Sequence, residues 1–475
     1  MRIIKTLLFL ILINSTTSVT SQTKLPAFFS SNMVFQQNEK VAVWGEDKPN
    51  VTIKIIGSWG EESVVKSNQN GTWKLKIQTP KAGGPYTVTI KGSDEIVLNN
   101  ILIGEVWLCS GQSNMDMAVI GFKNQPINGS NEAILNATNS QIRLFEVKRN
   151  TSTSPLDDVS GSWNMAQPKT VKSFSATAYF FAKKLQQTLN VPIGVIQSSW
   201  GGTPIESWTD LATVSKIKAI KPINSNTNIK PQKVVSSLYN AMIHPFAGYS
   251  IKGVIWYQGE SNRSRAAEYK LLFPAMIKSW RANWNQGEFP FYFVQIAPFG
   301  YGDEFSPYLR EAQLYTMQQV ENTGMAVTLD IGDCNYIHPR EKKLVGERLA
   351  YWALARNYDF KEIGFSGPLY KKMEKTPNGK ISVYFDFATN GLSSFGKELT
   401  GFEIAGEDKV FVPAKAKIMK DTSLMVWSDE IKKPIAVRYA FYNCIKGTLF
   451  NVEGLPASSF RTDDWEIEEE IKTLK

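Results

Sequence analysis

Ser113 and His338, with a few amides, glycines and acids near them in four polar clusters, are the residues whose types and spacing could do chemistry. The first cluster is Cys109-Ser110-Gly111-Gln112-Ser113-Asn114-Met115. A serine two residues after a glycine, at the tip of a strand, can sit in a tight turn opening a helix, where backbone N–H groups favour a developing oxyanion. The second is Ser198-Ser199-Trp200-Gly201-Gly202-Thr203-Pro204, whose paired glycines let the backbone approach a ligand closely. The third, Trp256-Tyr257-Gln258-Gly259-Glu260-Ser261-Asn262, puts two amides and a carboxylate within five residues. The fourth runs from Asp330 through Asp333 to His338-Pro339. A serine nucleophile needs an imidazole within hydrogen-bond reach and a third group to hold that imidazole. His338 has acids nearby, whereas His244, the other histidine of the chain, lies in an apolar stretch without one and reads as structural.

These clusters need elements to carry them. Ile103–Ser110, Val191–Ser199, Lys252–Gly259, Phe291–Ala297 and Gly324–Ile331 are nearly continuous apolar runs, as in parallel strands covered on both faces. Helical patterns at 175–187, 265–285, 308–322 and 339–357 alternate with them, which predicts a doubly wound α/β sheet over residues 104–360 with its ligands beyond the strands' carboxyl ends. Residues 24–103 instead show short period-two runs between turn signals, expected to form a small antiparallel β-sandwich module. The same grammar returns over 363–475 as a second β module. Arg2 and Lys5, then the apolar run Leu7–Ile13 and a small-residue exit, read as a signal peptide over 1–21. A secreted or periplasmic protein without a membrane anchor is therefore expected.

Composition narrows the function. The 475 residues suit two to four domains, and 20% charged residues exclude a disordered chain. The net charge of +9 is dispersed, without a basic block for nucleic acid. Three cysteines make no disulfide scaffold and no zinc pattern, and the odd count leaves at least one unpaired. Oligomeric state is not legible.

Ser110-Gly-Gln-Ser-Asn-Met115, Ser199-Trp-Gly-Gly-Thr-Pro204, Trp256-Tyr-Gln-Gly-Glu-Ser-Asn262, and Ile337-His-Pro339 with Val345-Gly-Glu-Arg-Leu-Ala350 resemble the sialate O-acetylesterases of the SGNH (GDSL-like) superfamily. That resemblance runs in order from about residue 26 to the C-terminus. It implies a flavodoxin-like hydrolase domain with flanking β modules, an acetylated sugar or glycan as substrate, and no metal or other cofactor. It makes Ser113 the nucleophile and His338 the base. Asp333 is the expected orienting acid, with Asp330 or a backbone carbonyl as alternatives, since Asn335 and Tyr336 stand where the superfamily and family often carry acids. Oxyanion and substrate contacts are expected from Gly201, Gly202, Gln258, Glu260 and Asn262, with Gln258 or Asn262 donating the side-chain hydrogen bond. Sialic acids lead as substrates, with acetylxylan or other glycans as alternatives. Two further readings stand: a glycosidase pairing Glu260 with an acid near 330, and a non-catalytic sugar-binding protein.

Overall fold

The computed structural model describes residues 22–220, 228–302 and 305–465. The expected signal peptide at 1–21 lies outside the described residues. The chain opens with β1 (Val34–Gln36), β2 (Lys40–Glu46), β3 (Thr52–Gly57), β4 (Glu62–Lys66), β5 (Thr72–Gln78), β6 (Gly83–Lys91) and β7 (Glu95–Gly111). Alternation sets the faces here: β5 buries Trp73, Leu75 and Ile77 and turns Thr72, Lys74, Lys76 and Gln78 to solvent.

β7 carries both halves of the molecule. Its first part pairs antiparallel with β6, and its last part is a central strand of the parallel sheet. The boundary read from the sequence at 103/104 thus falls inside one continuous strand.

The chain continues through α1 (Ser113–Asp116), α2 (Ser130–Leu135), β8 (Asn139–Glu146), β9 (Trp163–Ala166), α3 (Pro168–Ser173), α4 (Ala176–Leu189), β10 (Ile193–Ser199) and α5 (Leu211–Lys216). Then follow β11 (Gly253–Tyr257), α6 (Ala266–Trp284), β12 (Phe291–Val294), α7 (Pro307–Gln319), β13 (Thr323–Ala326) and α8 (Lys342–Asn357). The sheet order is β13-β12-β11-β7-β10-β8-β9, parallel except for β9 at the edge. Successive residues feed opposite cores, as strands covered on both faces must. Leu108, Val254 and Phe293 pack with Phe273, Met276 and Trp280 of α6, whereas Trp107, Ile255 and Tyr292 pack with Phe181 of α4 and Leu349 and Trp352 of α8. The result is a mixed α/β fold with a central parallel sheet and smaller antiparallel sheets.

β7 sits between β10, reached early, and β11, reached after the chain crosses to the other side. That reversal opens a crevice at the carboxyl ends of these three strands. The registers Ser199 to Gly111 and Tyr257 to Gly111 bring the three ends level.

Beyond α8 the chain forms antiparallel sheets, one from Leu369–Lys375, Ile381–Asp386, Lys415–Ile418 and Leu424–Trp427, another from Phe402–Ala405, Phe411–Pro413, Ala436–Tyr439 and Phe460–Arg461. A disulfide joins Cys334 to Cys444, and Cys109 is a buried free thiol. No helix among the described residues is long and apolar enough to cross a membrane.

Candidate active site

The three strand ends converge because β7 turns sharply. Gly111 has φ +139°, and a Cβ there would lie 2.2 Å from the Tyr257 carbonyl oxygen, so glycine is required. Gln112 donates its backbone N–H to that carbonyl at 3.0 Å and accepts the N–H of Ser261 on its side-chain oxygen at 3.2 Å. The first and third clusters are thereby tied together. Trp200 donates its N–H to Gly111 O at 3.1 Å, which brings in the second. Ser113 is the first residue of α1, and Gly201 lies so close that a Cβ on it would meet Ser113 Cβ at 3.2 Å.

His338 arrives from the other side, on the loop between β13 and α8. Its Nε2 lies 2.8 Å from Ser113 Oγ, and its Nδ1 lies 2.5 Å from Gln125 Oε1. A carbonyl oxygen only accepts, so Nδ1 carries the proton and Nε2 turns its lone pair to the serine hydroxyl. Phe122 and Gln125 close a tight turn through reciprocal backbone hydrogen bonds. Both ends of that turn grip the imidazole, since Phe122 packs edge-on against it with centroids 5.3 Å apart. Burial, reinforced by the positive charge of Lys342, lowers the His338 pKa to about 4.

Gln125 is the partner the sequence did not reveal. It sits in a short turn between Gly121 and Pro126, and no local pattern marks it as facing a residue over two hundred positions away. Asp333, expected in that role, faces elsewhere. Its Oδ2 pairs with Arg340 at 3.0 Å and its Oδ1 accepts the Asn335 N–H, so both oxygens are engaged within its own loop and neither meets His338. Asp330 makes two hydrogen bonds to Arg348, at 2.8 and 2.6 Å, from a turn beyond β13 rather than from the strand itself. His244 lies apart, its Nδ1 bonded to Leu156 O.

The amides of the third cluster are also committed. Gln258 donates to Thr203 O and Asn262 Oδ1, and Asn262 donates to Glu206 Oε2 while accepting the Ile205 N–H. Both are fully buried braces between the β10 and β11 loops, not donors aimed at the serine. The backbone N–H groups of Ser113 and Gly201 have no backbone acceptor among the described residues, and Gly201 lies against the Ser113 backbone, which makes the two the candidate oxyanion donors. Gly202, with φ +71°, is exposed and open on its Cα face.

Glu260 is buried, accepting from Asn114 Nδ2 at 2.5 Å. Asp330 is on Arg348 and Asp333 on Arg340, so the two acids near 330 are engaged elsewhere and the expected glycosidase pairing with one of them is not formed. Asp116 is the last residue of α1. It accepts from Ser199 Oγ at 3.2 Å and pairs with Arg149 at 2.5 Å, while burial raises its pKa. Arg149 in turn lies over the Trp200 ring at the rim.

A hydroxyl, an imidazole and free backbone donors at the carboxyl edge of a parallel sheet are what acyl transfer uses, and they place the molecule among the α/β carboxylic ester hydrolases. The comparisons with known proteins agree. The family model described as carbohydrate esterase, sialic acid-specific acetylesterase, matches residues 103–354. Sialate O-acetylesterase of Mus musculus is 33% identical over 430 residues, covering 76% of this chain and 79% of its own. The Homo sapiens sialate O-acetylesterase is 33% identical over 394 residues, covering 74% of each chain. A carbohydrate acetylesterase of Xanthomonas citri superposes with a TM-score of 0.85 at 35% identity, covering 94% of this chain and 100% of the other. The chain belongs to the sialic acid-specific acetylesterase family, and it is a sialate O-acetylesterase-like ester hydrolase acting on acetylated carbohydrate.

Proposed function

We propose that the protein removes O-acetyl groups from sialic acids, with Ser113 as nucleophile and His338 as base. The observation that carries this reading is the 2.8 Å approach of His338 Nε2 to Ser113 Oγ. Ser113 attacks the acetyl carbonyl as His338 accepts its proton, and the N–H groups of Ser113 and Gly201 receive the oxyanion. The intermediate then collapses to the acetyl-serine as the C–O bond to the sugar breaks, and His338 gives its proton to the departing sugar oxygen. Water, activated by the same imidazole, releases acetate and restores the serine. Removing one oxyanion donor would cost about 3 kcal/mol of transition-state stabilisation. Sialic acids are favoured over neutral glycans by the sialate esterases that match most of the chain at 33% identity. Export is part of the proposal: the sequence pattern of residues 1–21 supports it, as does the Cys334–Cys444 disulfide, which suits an oxidising compartment.

The test is acetate release from O-acetylated sialic acids and acetylated xylo-oligosaccharides, with Ser113→Ala, His338→Ala and the double variant. Each single variant is expected to lose nearly all activity and the double little more, because the pair acts as one unit. Losses that multiply would remove the pair from the mechanism. Activity confined to the xylo-oligosaccharides would leave the esterase and overturn the sialate preference.

A further inference from the structure

Directly beneath the Ser113–His338 pair lie two ionisable groups that the acyl-transfer steps do not use. Glu260 is 2% exposed and Lys342 is not exposed at all. Burying both is costly, and apolar residues of similar volume would fill the space without that cost. Between them lies Asn114, the residue after the serine. Lys342 Nζ donates to Asn114 Oδ1, and Asn114 Nδ2 donates to Glu260 Oε1 at 2.5 Å. The same Nδ2 donates to the carbonyl oxygen of Ile337, the residue before His338, at 3.2 Å. One amide thus joins the backbone of the histidine loop to the turn that carries the serine.

An amide can sit in either of two orientations, and the charged pair allows only one. Turned over, its NH2 would face the ammonium, and its oxygen would face a carboxylate and a carbonyl. We propose that Glu260 and Lys342 are positioning residues: by fixing the Asn114 amide they hold the Ile337 carbonyl, and with it His338, against Ser113. They supply from below part of the orientation that an acid on His338 Nδ1 would otherwise provide. This inference rests on the Ser113–His338 reading and deepens it.

The electrostatics fit. Burial lowers the Lys342 pKa to about 7, countered by Glu260, and raises that of Glu260. The charged groups on the elements around His338 are Lys342 at the start of α8 with Glu341 and Lys343 beside it, Glu260 after β11, Asp116 at the end of α1 paired with Arg149 after β8, Asp333 with Arg340 on the histidine's own loop, and the exposed Lys123 in the turn that holds the ring. Lys342 is the one whose charge acts on the imidazole, disfavouring its protonated form.

The experiment measures kcat, KM, melting temperature and the pH dependence of kcat/KM on a soluble aryl acetate. It compares Lys342→Met, Glu260→Leu, Glu260→Gln and the double variant Glu260→Gln/Lys342→Met, with Ser113→Ala as control. Lys342→Met and Glu260→Leu are expected to lower kcat by about ten- to a hundredfold with KM little changed, as a small misplacement of the base does. Glu260→Gln keeps an acceptor for Asn114 Nδ2 and should retain most activity. Lys342→Met should also move the acidic limb upward, by about one pH unit, because the opposing cation is gone. The double variant leaves no unpaired buried charge, so it reports the limb shift even where a single variant fails to fold. Wild-type kcat and an unmoved limb in the folded double variant would overturn the proposal, as would Glu260→Gln being as damaging as Glu260→Leu. Activity surviving in Ser113→Ala would instead defeat the reading beneath it.

Discussion

The imidazole of His338 is held by a neutral acceptor, and this shapes its acid–base behaviour. A carboxylate at Nδ1 would raise the pKa by favouring imidazolium, whereas Gln125 orients the ring without adding charge. From a pKa lowered to about 4, the imidazole is already deprotonated from mildly acidic pH upward. The sign follows: kcat/KM should rise with pH through about 4, not through 6–7 as an unperturbed histidine would give. A pH–rate profile of the free enzyme checks this, and Gln125→Glu should carry the limb upward by about one to three units. Gln125→Ala should cost roughly tenfold in turnover, the value of one orienting hydrogen bond. Neither acid of the loop orients the ring: Asp330 pairs with Arg348 and the expected Asp333 with Arg340. Asp333 is engaged with Arg340 on the surface, so Asp333→Asn should keep full turnover, and a loss of orders of magnitude would restore it as the orienting group. Ser113 and His338 were legible as a candidate pair because each ends a polar cluster behind a buried strand. Gln125 was not, because a turn glutamine carries no mark of what it faces.

Among the elements, the end of β7 bears the tightest constraint. β10 and β11 flank it in register, and the chain must turn away from both within two residues to start α1. Gly111→Ala would place a methyl group against the Tyr257 carbonyl at a positive φ. We expect it to lower stability by about 2–3 kcal/mol, read as a drop in melting temperature, and to lower turnover by tilting Ser113. An alanine variant with wild-type melting temperature and activity would show that the turn relaxes freely. The parallel strands were readable because apolar runs of that length must be covered on both faces. β8 and β4 went unread. Arg143 inside β8 is buried by bonds to Ser140, Asn32 and Asn100, which no periodicity conveys, and the solvent-facing residues of β4 alternate only weakly. The last helix begins at Lys342 rather than at Pro339, which places the lysine on its buried first turn.

At the scale of the whole molecule, the C-terminal β region is fastened to the catalytic loop. Cys334 lies four residues before His338, and its disulfide to Cys444 spans a sequence separation of 110. Arg310 of α7 adds hydrogen bonds to Ala440 O, Tyr442 O and Ser459 Oγ. Cross-linking so long a loop is worth about 2–4 kcal/mol, chiefly by restricting the unfolded chain. Cys444→Ser should therefore lower the melting temperature, and it should also lower kcat more than it raises KM, because the loop that presents His338 loses its outer anchor. Turnover unchanged in a folded Cys444→Ser enzyme would limit the bond to stability.

The sequence by itself determined what is local: which runs become strands and helices, where the chain turns at Gly111, and which serine and histidine stand at strand ends. Period and turn chemistry act over a few residues, so they can be read without knowing the fold. Only the tertiary structure decided which neutral side chain holds His338, that Asp333 turns to Arg340, and that Gln258 and Asn262 brace loops instead of meeting substrate. It also decided that Cys334 and Cys444 pair while Cys109 stays buried. Each of these depends on which distant residues share a few ångströms of space, and that is fixed by packing across the sheet rather than by spacing along the chain.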